Sequence, residues 1–177
     1  MMEDDGLKEL LDEFKKESNS LIRELEELLD DIEDDFSKKD KLNNFAQIID
    51  RIMGSAQSLS TFGFEQVEIT KLGDFAELCK QIGYRGANLN DEEFYNVTVA
   101  FLFDSIESMK KLLTSIGSET QVVKISDLLV STFLSRLKWI LDQFEVKKIS
   151  KTNYTKAQGI QMKSQDEIDA LLKSLSS

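Results

Sequence analysis

The side chains able to do chemistry in this chain are few, and the missing ones decide the most. Among 177 residues there is no histidine and a single cysteine, Cys79. That removes an imidazole general base, a phosphohistidine and any imidazole metal site. One thiol cannot build the usual zinc sites either. No glycine-rich phosphate loop and no nucleophile motif occurs. Carboxylates, amides and hydroxyls remain. The densest carboxylate cluster is Asp30-Asp31-Ile32-Glu33-Asp34-Asp35. Magnesium could be held by such a group, but like charges clustered this way read as a solvated helix end. Cys79 reads as a small apolar helix residue. A lone cysteine excludes an internal disulfide and fits a reducing, cytoplasmic compartment.

The elements that must position these groups are helices. Proline is absent and glycine totals only 8, so helices run uninterrupted and a loop-rich β fold is disfavoured. The net charge of −11 argues against nucleic acid and anionic membrane surfaces as partners. The N-terminus lacks the basic-then-apolar order of a secretion signal, and no apolar run reaches membrane-spanning length.

Periodicity predicts five helices. The first, about 7–32, carries the stripe Leu7, Leu10, Leu11, Phe14, Ser18, Leu21, Ile22, Leu25, Leu28, Leu29 and Ile32. The second, about 41–59, would bury Leu42, Phe45, Ile49, Ile52, Ala56 and Leu59. The third, about 65–82, would bury Leu72, Phe75, Leu78, Cys79 and Ile82, and end at Gly83-Tyr84-Arg85-Gly86, where glycine suits a left-handed cap. Asn90 would cap the fourth, which runs to about Ile116 on the stripe Phe94, Val97, Phe101, Ser105, Met109, Leu112 and Ile116. The fifth, about 123–144, would bury Leu128, Leu129, Phe133, Leu137, Ile140 and Phe144. The expected fold is all-α, an antiparallel four- or five-helix bundle over residues 1–146.

Composition then shifts. Residues 147–163 are polar without a helical stripe and read as a flexible linker. Residues 164–177 recover a pattern. Ser164 and Glu167 form a capping box, and Ile168, Leu171, Leu172 and Leu175 make one apolar face. A helix this short is marginal alone in water. A tethered amphipathic helix suits helix-in-groove binding to a partner. The alternative is a sixth helix packed on its own domain.

Residues 9–28 resemble the first helix of the phosphotransfer domain of the chemotaxis kinase CheA. The histidine phosphotransfer (HPt) signature H-x-x-K-G-S-A-x-x-L-G then finds a counterpart in Asp50-Arg51-Ile52-Met53-Gly54-Ser55-Ala56-Gln57-Ser58-Leu59-Ser60. Gly54, Ser55, Ala56 and Leu59 match. Asp50 replaces the phosphorylatable histidine, Met53 the lysine and Ser60 the second glycine. The resemblance covers about two-thirds of the chain and implies an HPt-type bundle that cannot perform histidine phosphotransfer. Gln47, Asp50, Gly54 and Gln57 share one outward helix face, so a docking face could survive without its nucleophile.

The segment Ser164-Gln165-Asp166-Glu167-Ile168-Asp169-Ala170-Leu171-Leu172 resembles the CheY-binding peptides of the flagellar switch protein FliM and the phosphatase CheZ. This resemblance implies a CheY-type response regulator as partner, bound through Ser164–Asp169, Leu171, Leu172 and Leu175. Phe75-Ala76-Glu77-Leu78-Cys79-Lys80-Gln81-Ile82 is similar to the CheZ active-site stretch. By that similarity Gln81 would position water on the aspartyl phosphate and Glu77 would pair with a regulator lysine, both exposed opposite the apolar stripe. The chain itself would need no cofactor or metal, since the regulator carries magnesium. These resemblances imply a chemotaxis protein that binds the regulator and promotes its dephosphorylation. The alternative is a non-catalytic adaptor or sequestering module, with a chemoreceptor, CheA or the flagellar switch complex as further partners.

Overall fold

A computed structural model describes residues 2–62, 67–117, 127, 129–147 and 162–177. Six α-helices and a short 3-10 helix make up the described fold, with no strand among the described residues. They are α1 (Met2–Ile32), a 3-10 turn (Phe36–Lys41), α2 (Leu42–Thr61), α3 (Val67–Gly86), α4 (Glu92–Ser115), α5 (Ser131–Val146) and α6 (Gln165–Ser176). No described helix is long and apolar enough to cross a membrane.

α1 buries the expected stripe from Leu11 through Ser18 to Ile32 apart from the half-buried Leu28, while Leu7 is half-buried and Leu10 exposed. It stops where Asp34 takes a positive φ of 56°, a backbone state that Asp tolerates better than most residues. Asp35 caps the 3-10 turn by accepting from the Ser37 amide at 3.2 Å. Asp31 is bridged by Lys38 and Lys41. Much of the acidic run thus serves local helix-end bonding.

α1 to α4 form an antiparallel four-helix layer, as the contacts at matched ends require. The Tyr95 hydroxyl, at the start of α4, donates to the Ile32 carbonyl at 2.8 Å, at the end of α1. Lys110 meets Glu26 at 2.8 Å further along the same pair. α2 and α3 pair closely. A Cβ on Gly83 would stand 3.1 Å from the Ala46 Cβ and the Leu42 carbonyl oxygen.

That approach corrects the expectation that glycines end the third helix. α3 continues through Gly86, and neither Gly83 nor Gly86 has a positive φ. They are small so that α2 can come close, not so that the chain can turn. The fourth helix is capped by Asp91 rather than Asn90, the carboxylate accepting from the Phe94 amide at 2.9 Å. Val97 is exposed, because the buried side of α4 is carried by Phe94, Tyr95, Thr98, Phe101, Leu102 and their successors. The fifth helix begins at Ser131, with Val130 as its N-cap and Leu129 buried ahead of it. Residues 123–126 and Leu128 lie outside the described residues.

α5 crosses the groove between α3 and α4. Phe133 packs against Phe75 and Phe101, with ring centroids 5.7 and 5.0 Å apart. Phe144 and Trp139 meet Phe94 edge-on. α6 then lies antiparallel to α3 and beside α5. α3 is therefore surrounded by α2, α4, α5 and α6, which explains why it buries polar residues that a one-sided stripe would leave outside.

Candidate functional site

α6 is built from its own ends. The Ser164 hydroxyl accepts from the Glu167 amide at 3.3 Å, and Glu167 accepts from the Ser164 amide at 2.8 Å. Those bonds to Ser164 hold the Glu167 carboxyl below its ordinary range. Asp166 and Glu167 sit in the first turn and Lys173 in the last, the order that suits the helix dipole.

The apolar face of α6 is turned onto its own bundle. Ile168 and Leu175 are fully buried, and Leu171 and Leu172 are half-buried against the same core. Asp166, Glu167, Asp169, Ala170 and Lys173 face outward. This differs from a tail helix standing free with its apolar face open. Of the expected flexible linker, residues 148–161 lie outside the described residues, while Met162 and Lys163 are half-buried.

Polar groups fasten both ends of α6. At its start, the Lys163 backbone amide donates to the Gln81 side-chain Oε1 at 3.1 Å, and the Arg85 guanidinium donates to the Lys163 backbone carbonyl at 3.1 Å. Arg85 also reaches Glu145 of α5 at 3.2 Å. Burial draws the Arg85 pKa down, with Glu145 opposing. Near the other end, the Ser174 hydroxyl donates to Asp74 at 2.7 Å. Along the flank, Gln165 lies 3.5 Å from Asp142 and Lys138 lies 3.9 Å from Asp169.

The expected exposure of Glu77 and Gln81 is overturned. Glu77 is 7% and Gln81 0% exposed. The Gln81 amide nitrogen donates to Glu77 at 2.8 Å, and the second Glu77 oxygen pairs with Lys80 at 2.9 Å. Both ends of the Gln81 amide and both Glu77 oxygens are thus engaged within the chain. In this arrangement neither side chain is free to orient a water on an external phosphate. The sequence stripe left their face open because it could not name α6 as its cover.

The residues of the histidine-less motif lie on α2 as its periodicity requires. Gln47, Asp50, Gly54 and Gln57 are exposed and Met53 is half-buried. Lys80 reaches over from α3 to pair with Asp50 at 2.9 Å and lies 3.9 Å from the Met53 sulfur. Burial alone would lower the Lys80 pKa, but its bonds to Glu77 and Asp50 win and the net direction is upward. A continuous polar ladder results, from Asp50 through Lys80, Glu77 and Gln81 to the Lys163 backbone. Gln81 was singled out for another role. Lys80, Arg85 and Asp74, which complete the ladder and the fastening of α6, carried no motif. Arg85 was hidden inside a glycine pair that read as a helix end.

No protein-family profile, curated protein or solved structure matches this chain.

Proposed function

We propose that the chain is a chemotaxis signalling protein, a cytoplasmic bundle of HPt type without its histidine, that binds a CheY-type response regulator through α6. The observation that carries the proposal is α6 itself. A self-capped helix with one apolar face stands on the very segment that resembles two CheY-binding peptides. Leu171 and Leu172, already half-exposed, would lead into the regulator's groove. Burying a leucine of this kind contributes roughly 2 kcal/mol, so the effect of each truncation is measurable. Titration of a Ser164–Ser177 peptide against activated and unactivated CheY paralogues is the direct test. Leu171→Ala and Leu172→Ala should each weaken binding by at least about ten-fold. Absence of binding to every paralogue, or binding indifferent to both substitutions, refutes the proposal.

Binding without catalysis is the reading favoured, because Glu77 and Gln81 are engaged internally. The exposed face of α2 supports an adaptor role. A Cβ on Gly54 would meet nothing within 4 Å, which leaves the backbone open to approach by a receptor, kinase or switch component. A CheZ-like phosphatase role is supported by one observation: the Gln81 side-chain oxygen accepts from the Lys163 backbone amide, so departure of α6 would free that oxygen. Phosphate release from the phosphorylated regulator, with and without the protein, separates the two readings.

A further inference from the structure

The contact between α6 and the bundle has a mixed composition. Two apolar side chains, Ile168 and Leu175, are buried in it. Beside them, the buried Gln81 accepts from the Lys163 backbone amide and the buried Arg85 donates to the Lys163 carbonyl. Among the described residues the Arg85 Nε finds no acceptor. Such groups are costly to bury without full pairing, yet they accept water readily once uncovered. Interfaces within a chain that open and close share this polar character, whereas permanent cores are apolar.

α6 is also self-contained. Its capping box lies within residues 164–167, so the helix start keeps its internal bonds wherever it goes. Residues 148–161 separate α6 from α5 in the sequence, and a chain of that length spans at most roughly 45–50 Å.

We propose that α6 is an autoinhibitory latch. Closed, it packs on α3 and α5, hides Ile168 and Leu175, and half-covers Leu171 and Leu172. Open, it presents that same face to the response regulator. The inference rests on the regulator-binding proposal and adds the regulation of that site. One helix face cannot pack against two surfaces at once, so every closed molecule is withheld from the regulator. A latch closed in about 90–99% of molecules weakens the apparent affinity by roughly ten- to hundred-fold relative to the free helix. The Asp74–Ser174 bond is the point at which to shift this balance, because Asp74 is part-exposed on α3 and lies outside the apolar face of α6.

The test compares affinities for a beryllofluoride-activated CheY-type regulator. The Ser164–Ser177 peptide should bind at least about ten-fold more tightly than the full chain. Asp74→Ala in the full chain should recover about three- to ten-fold of that difference, the effect of losing one hydrogen bond to a charged partner at a part-exposed site. An Asp74→Cys/Ser174→Cys pair, cross-linked by a short thiol reagent with Cys79 buried away from it, should lose binding, and cleavage of the link should restore it. Equal affinity of peptide and full chain, unchanged by Asp74→Ala, overturns the latch. Amide exchange of the full chain keeps the latch testable if the peptide binds no regulator. Residues 168–175 should then exchange at least about ten-fold faster than the α3 core, and faster again in Asp74→Ala. Exchange of α6 only in step with α3 would make it a permanent part of the bundle and refute the latch.

Discussion

A single chemical change, glycine to alanine, should have opposite signs at two positions. Inside any helix, alanine gains about 0.5–1 kcal/mol over glycine because less backbone freedom is lost on folding. At Gly54 nothing lies within 4 Å of the added Cβ, so Gly54→Ala should show the whole gain. At Gly83 the new methyl would lie 3.1 Å from the Ala46 Cβ, the Leu42 carbonyl oxygen and the Phe45 ring. The first two are fixed to the α2 backbone and cannot swing aside, so α2 and α3 must separate by a few tenths of an ångström along their interface. Overpacking of this kind costs about 1–3 kcal/mol, which at mid-range outweighs the propensity gain and leaves a net loss of about 1 kcal/mol, up to about 2.5 kcal/mol. For a domain of this size that mid-range loss lowers the thermal midpoint by roughly 2–4 °C for Gly83→Ala, while Gly54→Ala should raise it by about 1–4 °C. Gly86→Ala should fall between them, since its nearest neighbour is a Leu42 methyl at 2.8 Å, the movable end of a side chain. Thermal melts followed by circular dichroism measure all three. A Gly83→Ala protein as stable as Gly54→Ala would mean that α2 and α3 do not meet there, and the packing described for the bundle would be wrong.

Two further predictions concern titration. Burial pushes the Cys79 thiol up from 9.0 to about 12, against a weaker opposing bond from Ser105. The unfolded chain therefore ionises first, and stability should fall as pH rises above 9, by up to about 1.4 kcal/mol per unit; Cys79→Ala should flatten that decline, and immediate thiol labelling of the native protein at pH 8 would contradict the burial. On the acid side, Asp91 is held below 3.8 by its bond to Lys147 and then by the Phe94 amide, so its contribution is complete above 3.8 and disappears as pH falls through the lower folded value. Melts between pH 5 and pH 2 should show a shallower acid decline in Asp91→Asn than in wild type, and parallel curves would refute that assignment.

The sequence carried most of the fold because most of its signals are local. The stripes of α1 and α2 predicted their buried residues, and the capping box marked α6 to the residue. Failures came where two local meanings compete or where the partner is distant. A glycine can supply a left-handed turn or a close approach. At Gly83 and Gly86 the choice is made by Leu42, some forty residues away, and nothing in the local pattern indicates it. Asn90 and Asp91 are both good capping residues, and only backbone geometry selects the second. Glu77 and Gln81 misled for a related reason. A polar face opposite an apolar stripe reads as solvent-exposed, yet a polar face can be covered by a segment that brings its own backbone donors and acceptors, as Lys163 does here.

That coverage links the fold to the proposed function. The part of the chain with the sharpest local signal for a partner is also the part whose apolar face completes the core beside α3. If α6 were an ordinary sixth helix, its removal would leave Ile168 and Leu175 as lost core residues and an uncovered polar groove on α3. If it is a latch, the same groove must tolerate water, and its composition fits that demand: Glu77, Gln81 and Arg85 are side chains that hydrate readily, while the large aromatics Phe75, Phe101 and Phe133 pack with one another beneath α5. Those ring contacts between α3, α4 and α5 are made without α6. Opening would uncover the polar ladder and the seats of Ile168 and Leu175, and would remove the partial contacts of Leu171 and Leu172 with the core. For a latch, the stability of the bundle and the accessibility of α6 are separate quantities, and measurements of one do not stand in for the other.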